Sequence, residues 1–392
     1  MGDSPRVTAS PAPSWPPVAP GEHAMNHREG AARSLDERNF DRILIIKPSS
    51  LGDVIHGLPI LRGLRERFPN ATIDWMIASG LRPLLEGHPD IDELVSFDRK
   101  RYARVGRSFS ATWDFIRFLR DLRARRYDLV IDLQGLLRSG FMARVSGAPV
   151  RIGPAEVREG AGLFYTHRAR FLAGDAHAID RNLSVGSLLG FDTRKISHRI
   201  PIRADERDAM TARLHGDGLT ANSIMVVVAP GARWETKRWT PDRFAQLIDF
   251  LQEHAGVRCV LLGGPEDNDL CRGIASQCRQ PLLNLAGQTS VREFAAAVSL
   301  ADLVVCHDSS AAHLAVAFDR PLVCITGPTD PKRTGPYRRL PDVVQLELDC
   351  SPCFFRRLSQ CPHEHRCMRD LNVESVLNAC RARIPHVRNR IP

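Results

Sequence analysis

Apolar residues along this chain fall into short, mostly β-branched runs, each closed by glycine or proline and followed by residues at helical spacing. The sharpest run, Ile43-Leu44-Ile45-Ile46, reads as a strand buried on both faces and stopped by Pro48. Val54, Ile55, Leu58, Leu61 and Leu64 then recur at helical spacing. Ser49 or Ser50 is placed to cap that helix, and Gly52 lets the backbone turn tightly into it. The same alternation predicts strands over 72–78, 93–97 and 127–133, with a short helix over 81–87 and a long amphipathic helix over 111–125. A second series follows, with strands over 224–229, from Cys259, over 300–306 and over 321–326. Strands separated by helices predict parallel, doubly wound α/β sheets, whose sites lie beyond the carboxyl ends of the strands.

With 392 residues the chain has material for about two such domains. The pattern places the first at 41–215, the second at 216–345 and a cysteine-bearing tail with a final helix at 346–392, with a hinge within 201–222. Residues 1–40 are rich in Pro, Ala, Ser and Gly without an apolar period, which predicts a disordered extension. The prolines there interrupt any signal-peptide core, and no apolar run is long enough to span a bilayer, so the expected location is cytoplasmic.

The net charge of +9 rests mostly on arginine, whose forked guanidinium suits phosphates and carboxylates. No zinc-finger, RRM or helix-turn-helix pattern accompanies that charge, so nucleic acid is not the expected partner. Arg99, Lys100, Arg101, Arg104, Arg107, Arg117, Arg120, Arg123, Arg125 and Arg126 crowd together, interleaved with Phe109, Trp113, Phe115 and Phe118. Such a stretch is either a solvated helix with an aromatic core face or a patch that meets an anionic membrane surface.

Candidate chemistry gathers at the strand exits. Asp53 follows the first strand, as a first-turn carboxylate on the helix dipole or as a base at the mouth of a cleft. Its loop is neither a phosphate-binding G-x-x-x-x-G-K-[ST] loop nor a dinucleotide G-x-G-x-x-G turn. Lys237 stands between Trp234 and Trp239 just before the Thr240-Pro241 helix start. Glu266 follows a glycine turn, and Asp308, Ser309 and Ser310 open another helix, a constellation suited to an anion or to plain capping. Two D-x-D triplets, Asp90–Asp92 and Asp267–Asp269, are of a kind that arises by chance in a charged chain, and with cationic side chains at hand to neutralise an anion no catalytic metal or cofactor is expected. Cys350, Cys353, Cys361 and Cys367, with His363 and His365, could suit a structural zinc, but a single C-x-x-C favours reduced thiols.

The ordered set Ser49–Asp53, Tyr127–Gly135, Arg233–Thr240, Gly264–Glu266, Asp308–His313 and Thr326–Asp330 resembles the ADP-heptose:lipopolysaccharide heptosyltransferases of glycosyltransferase family 9. The resemblance runs from Arg42 to Tyr337 and implies a GT-B architecture: two Rossmann-like domains facing across a cleft, acceptor on the first and nucleotide-sugar donor on the second. It implies inverting heptose transfer from ADP-heptose to a lipid-A-linked anionic glycan, at the inner face of the cytoplasmic membrane. Carried over by position, Asp53 matches the general base, with Ser49, Ser50 and Gly52 in its acceptor-side loop. Lys237, with Arg233 beside it, matches the lysine on the donor phosphates. Glu266 matches a carboxylate near the nucleoside, and Thr289 falls where a residue lines the adenine pocket. Asp308, Ser309, Ser310 and His313 match the donor-phosphate loop, where Ser310 departs from the family's glycine. Three other readings remain: a relative using another nucleotide sugar or acceptor, a non-catalytic sugar-nucleotide binder, and an epimerase that alters the donor without any acceptor.

Overall fold

A computed structural model describes residues 34–157, 159–171, 177–253 and 256–384. Two sheets of six parallel strands organise the body of the chain. The first contains β1 (Arg42–Ile46), β2 (Thr72–Ala78), β3 (Glu93–Phe97), β4 (Leu129–Asp132), β5 (Val150–Pro154) and β6 (His167–Ala169). Their order is β3-β2-β1-β4-β5-β6. The second contains β7 (Ile224–Ala229), β8 (Val257–Leu261), β9 (Leu283–Asn284), β10 (Leu303–His307), β11 (Leu322–Ile325) and β12 (Val343–Val344), in the order β12-β11-β10-β7-β8-β9. Each sheet reverses direction beside its first strand, between β1 and β4 and between β7 and β10, and those switch points are where doubly wound sheets bind ligands.

The continuous apolar runs read as central strands because helices cover both faces. Ile43, Leu44, Ile45 and Ile46 are fully buried, and so are Val226, Val227 and Val228 of β7. Each such side chain removed from water is worth about 1.5–3 kcal/mol. β1 feeds the Leu51–Arg67 helix, and β10 feeds the Ser310–Ala317 helix; these two helices pack on each other and join the lobes.

The domain limits read from the sequence shift in three places. Leu35 and Phe40, expected within the disordered extension, are buried, with Phe40 edge-on to Phe68 at 5.6 Å between ring centroids. The remainder of that extension, 1–33, lies outside the described residues. The Ala204–Gly216 helix, assigned to the first domain, packs on the Val291–Leu300 helix of the second. Its Glu206 pairs with the Arg292 guanidinium, which also donates to the carbonyls of Pro83 at 2.6 Å, Glu86 at 3.0 Å and Pro201 at 2.7 Å. One buried arginine thereby ties the first lobe, the connection and the second lobe together. Finally, the Val373–Arg383 helix of the tail buries Val376, Leu377 and Cys380 in the core of the second lobe.

Candidate active site

Asp53 sits in the first turn of the helix after β1. One carboxylate oxygen, Oδ2, accepts from the Ser50 amide at 2.9 Å and from the Ser50 hydroxyl at 2.7 Å. The other, Oδ1, accepts no hydrogen bond among the described residues and lies 3.9 Å from Lys47 Nζ. The helix-end role thus occupies one oxygen, Oδ2, and leaves Oδ1 without a hydrogen bond among the described residues. With 45% of its side chain exposed, Asp53 is reachable. Burial pushes its pKa up, but the Lys47 charge and the two Ser50 bonds outweigh burial and leave it below the usual carboxylate value. Lys47, which the sequence reading passed over, is held in turn by donating to the Leu133 carbonyl at 2.7 Å. Its signal was present: a lone cation ending an otherwise apolar buried strand.

Across from Asp53 stands the start of the Ser310–Ala317 helix. Gly52 is required there by close approach, since a Cβ at that position would lie 2.5 Å from His313 Cδ2. His313 Nδ1 lies 3.2 Å from Nε2 of His56, one ring nitrogen donating to the other. His56 also escaped the sequence reading, although it follows Gly52 by one helical turn and so shares its face. His177 and His198 join the same buried cluster, His177 stacking edge-on to His56 at 5.3 Å. Burial lowers the pKa of His313 to about 4 and that of His198 to about 4, and pulls His56 well below its ordinary value.

Lys237 Nζ donates to the Asp308 carboxylate at 2.8 Å and to the Asp308 carbonyl at 3.0 Å. The same Asp308 oxygen accepts from Thr329 at 2.9 Å and Thr334 at 3.2 Å. Burial alone would raise the Asp308 pKa; Lys237 and its other partners bring it below the ordinary value. Ser309 is the N-cap residue of its helix with no capping bond from its hydroxyl, and Ser310 begins the helix half-buried. Of the two flanking tryptophans, Trp234 lies under Lys237 at 4.9 Å, whereas Trp239 is a core residue whose indole donates to the Leu371 carbonyl at 3.0 Å. The Thr240 hydroxyl, expected to cap the next helix, makes no capping bond.

Glu266 is exposed beyond β8, and the loop after β9 folds against it through a bond from the Gly287 amide to the Gly263 carbonyl of 3.1 Å. Thr289 on that loop keeps a buried hydroxyl without a hydrogen-bond partner, a group in want of a ligand's donor or acceptor. Arg233 stands exposed at the exit of β7. The structure thus gathers Gly52, Asp53 and His313 at one junction and Lys237, Asp308 and Ser309 beside it, with Glu266 and Thr289 at the far side of the second sheet.

Both D-x-D triplets are engaged in holding the fold. Asp92 accepts from the Ile73 amide and from Arg65, each at 2.7 Å, and Asp90 lies 3.6 Å from Arg62. Asp267 accepts from the Gly264 amide at 3.1 Å, and Asp269 pairs with Arg272. In the tail, Cys350, Cys353 and Cys361 lie near Cys367, and burial followed by their proximity pushes the Cys367 thiol up to about 11. Among the described residues no three His, Cys, Asp or Glu side chains form a group that could hold a metal ion.

The basic stretch divides. Arg125 is structural, bonded to both Glu93 oxygens at 2.6 Å and to Asp74 at 3.2 Å, and Arg101 pairs with Asp114. Phe115 and Phe118 pack inward against Tyr102, while Phe109 is 87% exposed and Trp113 47% exposed, with Ile116, Arg117 and Arg120 on the solvent side.

The chain is 27% identical to lipopolysaccharide heptosyltransferase 1 of Pseudomonas aeruginosa, covering 86% of this chain and 93% of that protein. It is 30% identical to lipopolysaccharide heptosyltransferase 3 of Escherichia coli K12, covering 71% of this chain and 80% of that protein. The E. coli heptosyltransferase WaaC, solved with ADP-2-deoxy-2-fluoro heptose, superposes with a TM-score of 0.67 at 23% identity over 87% of this chain and 99% of that one, which gives the fold as GT-B. A family profile, glycosyltransferase family 9 (heptosyltransferase), matches residues 115–363, from the arginine-rich helix through the Lys237 and Asp308 loops into the tail. The chain is therefore a glycosyltransferase and belongs to family 9, the heptosyltransferases.

Proposed function

We propose that this enzyme transfers heptose from ADP-heptose to the inner core of a lipid-A-linked lipopolysaccharide acceptor, with inversion and with Asp53 as general base. The observation that carries this reading is Oδ1 of Asp53 at the first switch point, close to Lys47 but accepting no hydrogen bond among the described residues, and joined through Gly52 and His313 to the Lys237–Asp308 pair at the second. The relatives' names supply the sugar and the acceptor class.

The acceptor hydroxyl would bond to Oδ1, and its oxygen attacks the anomeric carbon while the bond to the diphosphate breaks on the opposite face. The proton passes to Asp53 as the hydroxyl becomes acidic, which is worth about 10²–10⁴ in rate. The electron pair leaves with the nucleoside diphosphate. Lys237 and the amides at the Ser309 helix start would take that charge, Lys237 exchanging its Asp308 contact for the phosphate oxygens. Glu266 and Thr289 would hold the nucleoside.

The enzyme would meet its acceptor at the inner face of the cytoplasmic membrane. Exposed Phe109, Trp113 and Ile116 recur at helical spacing beside Arg117 and Arg120, an amphipathic face suited to an anionic interface. Among the described residues no helix is long and apolar enough to cross a membrane.

The test is nucleotide release from a panel of sugar nucleotides with a lipid-A inner-core acceptor. ADP release that depends on both ADP-heptose and acceptor is expected; release from a different sugar nucleotide alone would overturn the donor, and donor alteration without acceptor would make the protein an epimerase.

A further inference from the structure

Beside the Lys237 turn lies an open basin of about 410 Å³ lined by Arg233, Trp234, Glu235, Arg238, Arg356 and Arg357. It joins two distant parts of the chain. Arg233 and Arg238 flank the Lys237 turn, whereas Arg356 and Arg357 come from the cysteine-bearing tail. The tail is fastened to that turn by bonds between side chain and backbone: the Thr236 hydroxyl donates to the Phe355 carbonyl at 2.6 Å, and the Leu358 amide donates to Glu235 Oε1 at 2.8 Å. Gln360 Oε1 accepts from the amides of Arg356 and Arg357, each at 3.0 Å, so the backbone there is satisfied and the two side chains are left free.

The charges are not balanced. Glu235 is the basin's one carboxylate, and one of its oxygens already caps Leu358. Among the described residues Arg233, Arg356 and Arg357 make no ion pair, unlike Arg125, Arg292 and Arg339 elsewhere. Arg356 lies over the Trp234 ring at 5.0 Å, and Lys237 lies over the same ring at 4.9 Å. Lys237 on that indole is already paired with Asp308, whereas Arg356 on the same ring, with Arg233 and Arg357 facing open space, has no protein carboxylate paired to it among the described residues and is open to an anion. Guanidinium forks match the paired oxygens of phosphate and carboxylate.

We propose that this basin is a second oxyanion subsite, built by the tail, that takes a phosphate or carboxylate group of the acceptor glycan while Lys237 serves the donor diphosphate. The proposal rests on the transferase reading above. Trp234 is the common wall between the two subsites, and the exposure of Arg356 and Arg357 leaves room for a large branched acceptor rather than a buried nucleotide.

The test compares wild type with Arg356→Gln/Arg357→Gln, using ADP-heptose and a delipidated inner-core acceptor before and after phosphatase treatment. The variant is expected to melt as wild type does, to keep its donor KM and to raise acceptor KM at least fivefold. A rise confined to the untreated acceptor identifies phosphate as the ligand, and a rise with both identifies carboxylate. An unchanged acceptor KM, or a rise in donor KM alone, overturns the proposal. If the wild type transfers no heptose, the transferase reading fails instead, and titration with inorganic pyrophosphate still decides: binding weakened at least fivefold by the double substitution supports the oxyanion subsite, and equal binding removes it.

Discussion

His56 and His313 meet edge to face with ring centroids 4.2 Å apart, one from the helix that carries Asp53 and the other from the Ser310–Ala317 helix that follows Asp308 and Ser309. A single imidazole contact therefore spans the two lobes directly behind the proposed site. The pair is buried and neutral, with His177 and His198 beside it. Charging it would place like charges together away from water.

Stability should accordingly fall on acidification. The folded-state pKa values of His313 and His198 are lowered to about 4, below the ordinary histidine value near 6.5. Between those limits the unfolded chain binds more protons, so stability present above pH 6.5 is lost as pH drops toward 4, by at most about 1.4 kcal/mol per pH unit per histidine. Thermal melts from pH 7.5 to 5 should show a steady decrease, and His56→Gln/His313→Gln should flatten it. An identical slope in that variant would place the acid sensitivity elsewhere.

Gly52→Ala should loosen the same junction. Its methyl would lie 2.5 Å from His313 Cδ2, so the ring or the helix must shift, a type of overpacking that costs about 1–3 kcal/mol. A melting temperature within a degree of wild type would mean that the histidine moves freely aside.

Asp53→Asn should bind donor nearly as wild type and lose about 10²–10⁴ in kcat, because the proton is shared with the carboxylate only as the acceptor attacks. Retention of half of the wild-type kcat would leave Asp53 as the partner of Ser50 and nothing more.

Lys237→Ala should raise donor KM and lower kcat together, since the diphosphate is charged when bound and gains charge on leaving. It also leaves the Asp308 carboxylate with only Thr329 and Thr334, so melting should be followed alongside the kinetics. Unchanged donor KM and kcat would restrict Lys237 to bracing Asp308.

Vesicle binding tests the exposed basic helix. Arg117→Gln/Arg120→Gln/Arg123→Gln should weaken attachment to anionic vesicles and turnover on lipid-embedded acceptor, sparing a delipidated one. Wild-type attachment should fall steeply with salt, because screening acts over about 8 Å at physiological ionic strength. Equal loss on both acceptors would assign these arginines to the fold or to the sugar.

Much of the architecture was written locally. Fully apolar runs such as Ile43–Ile46 can only be central strands when both faces are covered, and the alternation of such runs with helical spacing leaves a doubly wound parallel sheet as the compact arrangement. Strand exits marked by Pro48, Gly231 and Gly264 located the loops that carry Asp53, Lys237 and Glu266, because chemistry in these sheets collects at the carboxyl ends. Contacts between residues far apart in the chain had no local mark. Lys47 reached Leu133 and Asp53, and His56 found His313, only once β1, β4 and the two junction helices were packed. The same holds for Arg292, a helical arginine in sequence that became a clasp between lobes, and for the division of the aromatic residues of one helix into Phe118, partly buried against the core, and exposed Phe109. Local sequence sets backbone preference and burial period, whereas which polar groups are desolvated together depends on how the two lobes dock, and so does the chemistry of the site.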